Sequence, residues 1–168
     1  MIWHLVAVVF AGLGAAGIAL ALRALSGKRL PKWIIPVFAG IGMLGYQIYF
    51  EYNWFNFKQE QLPAGSVVVE TEEGQVFWRP WTMRYPMTIA FSVIDTNNIE
   101  MRQADEYRIA YYLEYRFEKQ HVDHVSYQPY LLNCNTGDRV PVSSEGATQI
   151  NRMTNLTEVD PRFVTVCQ

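Results

Sequence analysis

Two charge-free apolar stretches on either side of a short basic connector constrain this chain more than anything else in it. Residues 2–22 carry no formal charge, and as a helix these 21 residues span roughly 31 Å, the thickness of a bilayer's hydrocarbon core. A second apolar stretch covers residues 33–50. Pro36 stands in its first turn, where a missing N–H costs little, and Gln47 is its one strongly polar side chain. Extension to Tyr52 gives spanning length. Arg23, Lys28, Arg29 and Lys32 all fall in the connector, residues 23–32, and no acid precedes Glu51.

The pattern predicts a transmembrane helical hairpin over residues 1–57, with helices at about 2–24 and 33–52. The positive-inside bias puts the 23–32 loop in the cytoplasm and both chain ends outside, in the periplasm of a bacterial inner membrane. Aromatic residues agree: Trp33 marks one interface, and Tyr46, Tyr49, Phe50, Tyr52, Trp54, Phe55 and Phe57 crowd the other. A cleaved signal peptide would show a basic start, a shorter apolar core and a small-residue cleavage site before polar sequence, whereas here the start is Met-Ile-Trp-His and the end is basic.

All 16 acidic residues follow Phe50, so an apolar, purely basic head precedes an acidic polar portion; that split excludes a free cytosolic globule, and the acidic portion argues against nucleic-acid partners. Within the hairpin, Ala11, Ala15 and Ala19 share a face with Gly12 and Ala16 beside them, and Ala39, Gly42 and Gly45 recur on the second helix. Such small residues let backbones approach closely, either within the hairpin or against helices of another membrane protein.

Residues 58–65 read as a linker, and residues 66–168 are enough for one small core. Their periodicity is that of strands. Over residues 107–118, Tyr107, Ile109, Tyr111, Leu113, Tyr115 and Phe117 alternate with Arg108, Ala110, Tyr112, Glu114, Arg116 and Glu118, which predicts one core face and one wet face. Further strands are expected over 66–72, 75–81, 87–94, 99–103, 126–134 and 139–143, the first two forming a hairpin about Glu73 and Gly74. Turn residues punctuate them at 95–98 and 135–138. Asp160 before Pro161 predicts a capped terminal helix over 161–167. The fold class is therefore α+β: a two-helix transmembrane hairpin, then an antiparallel sheet or barrel of six or seven strands with a short C-terminal helix.

The chain's two cysteines, Cys134 and Cys167, both fall in the outward portion, as a single disulfide in an oxidising compartment would require. Closing that loop is worth roughly 4 kcal/mol on the chain-entropy estimate.

Three segments in order, Phe91 to Ile99 with its Asp95-centred turn, Tyr130 to Cys134, and Asp160 to Cys167, resemble the surface-adhesin protein E domain of bacterial envelope proteins. The resemblance spans Phe91 to Cys167. It implies a compact antiparallel β domain with a disulfide to the C-terminal segment. Members commonly have a tryptophan shortly before the closing segment, where Asn155 or a neighbour stands here, and a lipid-modified cysteine in place of a helical hairpin. The resemblance therefore bears on fold and disulfide, and not on adhesion.

Catalytic patterns are absent: there is no Gly-x-Ser-x-Gly, no Walker loop and no Gly-x-Gly-x-x-Gly. Neither an enzymatic role nor a cofactor is expected. His121 and His124, with Asp123 between them, are the weak metal candidates, read first as a solvated loop. Met83 and Met87 read as packing, and His4 as an interfacial histidine. The pairs Glu72–Glu73 and Asp105–Glu106 read as solvated turn residues, and Asn155 to Thr157 as a chance glycosylation triplet. The aromatic load is more telling. Phe77, Trp78, Arg79, Trp81 and Tyr112 have the composition of an interaction surface, since Tyr and Trp dominate binding hot spots. The expected role is an accessory or structural subunit of a larger envelope membrane complex. The alternatives are a periplasmic ligand-binding or sensing module and, third, a metal or redox assembly factor.

Overall fold

The structure, a computed structural model, describes residues 2–77, 79–104, 107–119, 123–143 and 146–168, in two compact units, Met1–Phe57 and Lys58–Gln168. In the first unit the charge-free stretch forms α1 (Ile2–Leu25) and the second apolar stretch opens α2 (Ile34–Glu60). Both are long and apolar enough to cross a membrane. The turn between them is held locally. Arg23 Nε donates to the Leu30 carbonyl at 3.0 Å, and Gly27 and Lys28 both take the left-handed conformation, with φ of 65° and 63°.

Sequence reasoning stopped the second helix near residue 52, but α2 runs through the first three residues of the expected linker, to Glu60. The apolar composition ends near Tyr52, whereas helical hydrogen bonding needs no apolar residue to continue. Asn53, for instance, turns its side chain back to the Tyr49 carbonyl at 2.9 Å.

Small residues bring α1 and α2 together. A Cβ on Gly42 would lie 2.6 Å from the Ala15 Cβ and 2.8 Å from the Ala11 carbonyl oxygen, and Gly12 faces Met43 and the Ala39 carbonyl in the same way. Ala19 is fully buried. Gly45 is the exception, for nothing lies within 4 Å of its Cβ position. The six steps from Ala39 to Gly45 turn a helix through about 600°, a third of a turn short of the contact row, and Tyr46 continues that row instead. At the open end the His4 ring sits 4.1 Å from that of Phe50. Gly42→Leu is expected to splay the pair by about 1–2 Å, because the obstruction is backbone and cannot move aside. Spin labels at Leu13 and Leu44, both exposed, would report the widening, with Gly45→Leu as the control that leaves the distance unchanged.

The second unit is a curled antiparallel sheet of seven strands: β1 (Ser66–Gly74), β2 (Met87–Asp95), β3 (Glu100–Ala104), β4 (Tyr107–Lys119), β5 (Asp123–Asn133), β6 (Asp138–Pro141) and β7 (Thr154–Asn155). Its order is β1-β2-β4-β5-β6-β7, and β3 adds to β4 beside β2. A one-turn 3-10 corner, Thr96–Asn98, separates β2 from β3 and is capped by Asp95, which accepts from the Asn97 N–H at 3.0 Å. The described residues of 75–81 do not form the expected strand. β1 takes β2 as its partner, with Gly74 opposite Met87, and the intervening segment is a turn leading into the single-turn α3 (Trp81–Arg84). Pro80 has no N–H to give a ladder, which favours the turn.

The last helix, α4 (Pro161–Cys167), starts as the sequence indicates: the Asp160 side chain accepts from the Arg162 N–H at 2.9 Å, with Pro161 at the first helical position. It packs on β1 and β4. Its C-terminus is tied to the end of β5 by the Cys134–Cys167 disulfide, whose Cα atoms are 5.6 Å apart. Phe163 and Val166 join Val69, Ile94, Ala110, Tyr112, Leu132, Cys134 and Leu156 in the core.

That core lies on the other face of β4 from the one the alternation indicated. Ala110, Tyr112 and Glu114 are the buried set, and Ile109, Tyr111, Leu113, Tyr115 and Phe117 are only half-buried. The small Ala110 leaves room for α4 above the sheet. The apolar register is not wet either: Phe117 stacks on the buried Phe91 at 4.8 Å. With both faces covered, a period of two identifies the strand without saying which side is the interior.

Candidate functional site

Antiparallel register assembles a polar basin on the α4 side of the sheet. Glu114 pairs across to Gln128 and Ile94, Arg116 to Ser126 and Ser92, and Ser92 in turn to Glu70. Directly opposed residues share a face, so all of these point to one side. Leu132 brings Arg139 of β6 to the same side, and Arg162 enters from the first turn of α4. The result is a cavity of about 330 Å³ lined chiefly by charged and hydrogen-bonding side chains.

Its charges are paired in a chain. Arg139 Nη2 donates to Glu114 Oε2. The other Glu114 oxygen accepts from Arg162 Nε at 3.4 Å, and Arg162 Nη2 donates to Glu70 Oε2. Glu114 is 8% exposed and Arg139 9%, so this end of the chain is buried, and it reaches the surface at Glu70. Arg139 also lies over the Tyr130 ring, its guanidinium carbon 3.5 Å from the centroid, and Tyr130 stacks on Tyr112 at 5.9 Å. Burial works against the Arg162 charge, but Glu114, Glu70 and Asp160 outweigh it and raise its pKa on balance.

Nearer the surface, Arg116 grips Glu72 with two bonds of 2.6 and 2.7 Å and Glu118 with a third of 2.7 Å. The bond from Arg116 holds the Glu72 carboxyl below the usual carboxylate range, and the two carboxylates push the Arg116 pKa up. Two buried atoms have no hydrogen-bond partner among the described residues, the Tyr112 hydroxyl and Arg139 Nε. Burial pushes the Tyr112 pKa up, so the hydroxyl stays protonated through the physiological range.

Sequence reasoning missed this basin. The alternation puts Glu114 on a wet face, and nothing local in the sequence singles out Glu70, Arg139 or Arg162. The available hint was a carboxylate in the middle of the chain's longest strand, a place where a charge has to find a partner. Tyr112, expected at an interaction surface, is instead fully buried.

The remaining interaction candidates fall on the turn between β1 and β2. Phe77 is 84% exposed and Trp81 40%, and Met83 and Tyr85 beside them are 58% and 65% exposed. Arg79 is half-buried, and Trp78 lies outside the described residues. The turn is anchored from below. Thr82, fully buried, accepts from the Val76 N–H at 2.9 Å and donates to the Arg79 carbonyl at 2.8 Å. A fixed backbone thus presents large apolar side chains to the outside.

Of the two metal candidates, one falls among the described residues. His124 is exposed on β5 opposite Glu118, and His121 lies outside the described residues. Cys134 is bonded to Cys167 and offers no thiolate, and among the described residues no three His, Cys, Asp or Glu side chains cluster as a metal site. Asn155 of the glycosylation triplet uses its amide to hold the β5–β6 turn, donating to the Thr136 carbonyl and to Asp138 at 2.9 Å each. No protein-family model, curated protein or solved structure matches the chain.

Proposed function

We propose that this chain is a non-enzymatic accessory subunit of a larger membrane complex of the bacterial envelope. The hairpin spans the inner membrane with its basic loop in the cytoplasm, and both termini and the sheet unit lie in the periplasm. The observation that carries the reading is the aromatic turn. Phe77, Trp81, Met83 and Tyr85 stand exposed together on a backbone pinned by Thr82. A monomeric protein has little reason to present such a patch, and aromatic anchors on a rigid support are what partner recognition uses. Several further features fit. The apolar outer faces of α1 and α2 suit lipid or other helices, Gly14, Gly17, Gly40 and Gly45 leave open space on those helices, and the disulfide suits an oxidising compartment. Kinship with the surface-adhesin protein E domain belongs to this proposal as well; it would account for the sheet and the bridge.

Extraction of the tagged full-length protein from native membranes in a mild detergent is expected to recover one complex in stoichiometric amount. Phe77→Ser with Tyr85→Ser should cut that recovery at least tenfold while leaving thermal unfolding of the subunit unchanged. Recovery of the wild-type protein alone, as a monodisperse monomer, would overturn the proposal. The polar basin favours a second reading, a module that binds a small ligand or an envelope polymer.

A further inference from the structure

We propose that the basin between the sheet and α4 binds a neutral, hydroxyl-rich ligand: a saccharide unit. The inference is independent of the accessory-subunit reading and starts from size and charge. A cavity of about 330 Å³ lies at the small end of the range that ligand pockets occupy, roughly 300–1,000 Å³, and would hold one or two sugar rings rather than a large cofactor. Its walls are not the usual apolar ones. Ser92, Ser126 and Gln128 alternate with Glu114, Arg116 and Arg139 around it.

Charge decides between ligand classes. Arg139 and Arg162 are matched by Glu114 and Glu70, and Arg116 is matched by Glu72 and Glu118. An anion would have to displace a carboxylate from a guanidinium, and a cation would have to displace a guanidinium from a carboxylate. At the buried Arg139 and Glu114 either exchange leaves a charge in the interior without its partner. A neutral ligand displaces neither, and the paired groups still have capacity to spare. A guanidinium carries five N–H donors and a carboxylate about four acceptor sites, in fixed planar geometry, whereas neighbouring sugar hydroxyls both donate and accept. Arg139 shows that capacity directly: it lines the basin, it is nine-tenths buried, and its Nε has no acceptor among the described residues. A buried donor in that state costs free energy until something accepts from it, and a ligand hydroxyl can.

The test uses the full-length chain in a detergent with no sugar headgroup, such as lauryldimethylamine oxide. The probes are cellobiose, N,N′-diacetylchitobiose and, as the charged competitor, inorganic phosphate. Saturation-transfer NMR would read ligand contact, and the arginine Nε–Hε resonances would read the site. At least one disaccharide is expected to bind saturably in the millimolar range and to shift the Arg139 Nε–Hε resonance. Ser126→Trp, a half-buried strand position on the basin's wall, should weaken that binding at least tenfold. If the Trp variant does not fold, Gln128→Leu replaces it, and the wild-type Arg139 shift stands as evidence by itself. Saturation by phosphate with no response to either sugar would overturn the proposal, as would sugar binding that leaves Arg139 unmoved.

Discussion

Cys134→Ala with Cys167→Ala is expected to lower the stability of the sheet unit by roughly 4 kcal/mol and its melting temperature by about 15–30 °C. The bridge spans 33 positions, from the end of β5 to the last turn of α4. Two effects combine. Without it the unfolded chain regains loop entropy, which is the part that the chain-entropy estimate counts. The folded state also loses the tether on a helix of seven residues, too short to persist by itself in water. When α4 lifts, Phe163 and Val166 leave the core and Arg162 leaves Glu114 and Glu70. Thermal unfolding of the full-length protein followed by circular dichroism would measure the loss, and reductant added to the wild type should reproduce it. A double variant within about 1 kcal/mol of wild type would show that α4 is held by packing, with the bridge incidental.

What the sequence disclosed and what it hid divide along the range of the interactions involved. The α4 cap was legible because Asp160, Pro161 and Arg162 are neighbours, and the contact that starts the helix is local. The disulfide was legible because two cysteines leave one pairing. The charge-free stretches announced two long helices, though the small-residue faces did not say which glycine would meet a neighbour. Gly42 does and Gly45 does not, since a step of three residues falls off the contact row. The aromatic turn was read as interacting but drawn as a strand. A short apolar and aromatic run forms a strand only if a partner accepts it, and β1 found its partner in β2. The basin was hidden for the same reason. Glu70 and Arg162 are 92 positions apart and meet only through the register of β1 on β2 and the docking of α4. Reading Glu114 as wet followed the ordinary rule that carboxylates face water, a rule that buried arginines overturn.

That inversion makes Glu114 the most consequential single side chain in the sheet unit. Glu114→Gln keeps the shape but removes the charge that lies between Arg139 and Arg162, leaving the buried Arg139 without its one ionic partner in the network. The expected cost is about 3–5 kcal/mol, the usual consequence of stranding a charge in the interior. Glu72→Gln is the informative contrast. Its carboxylate makes two good bonds to Arg116 but is 39% exposed, so water screens the pair and the expected loss is about 1 kcal/mol or less. Replacing Glu114 and Arg139 together by methionine should recover part of the loss, because an apolar pair of similar bulk leaves fewer charges stranded than the single variant does. Urea unfolding of the three variants at neutral pH orders them: the double replacement should fall between the two single ones. If Glu114→Gln were no worse than Glu72→Gln, the basin would be an open, solvated surface and its paired charges incidental. A loss of the expected size would identify an interior in which hydrogen-bonding groups are held in fixed positions at a cost to stability, and that arrangement is what recognition of a polar ligand requires.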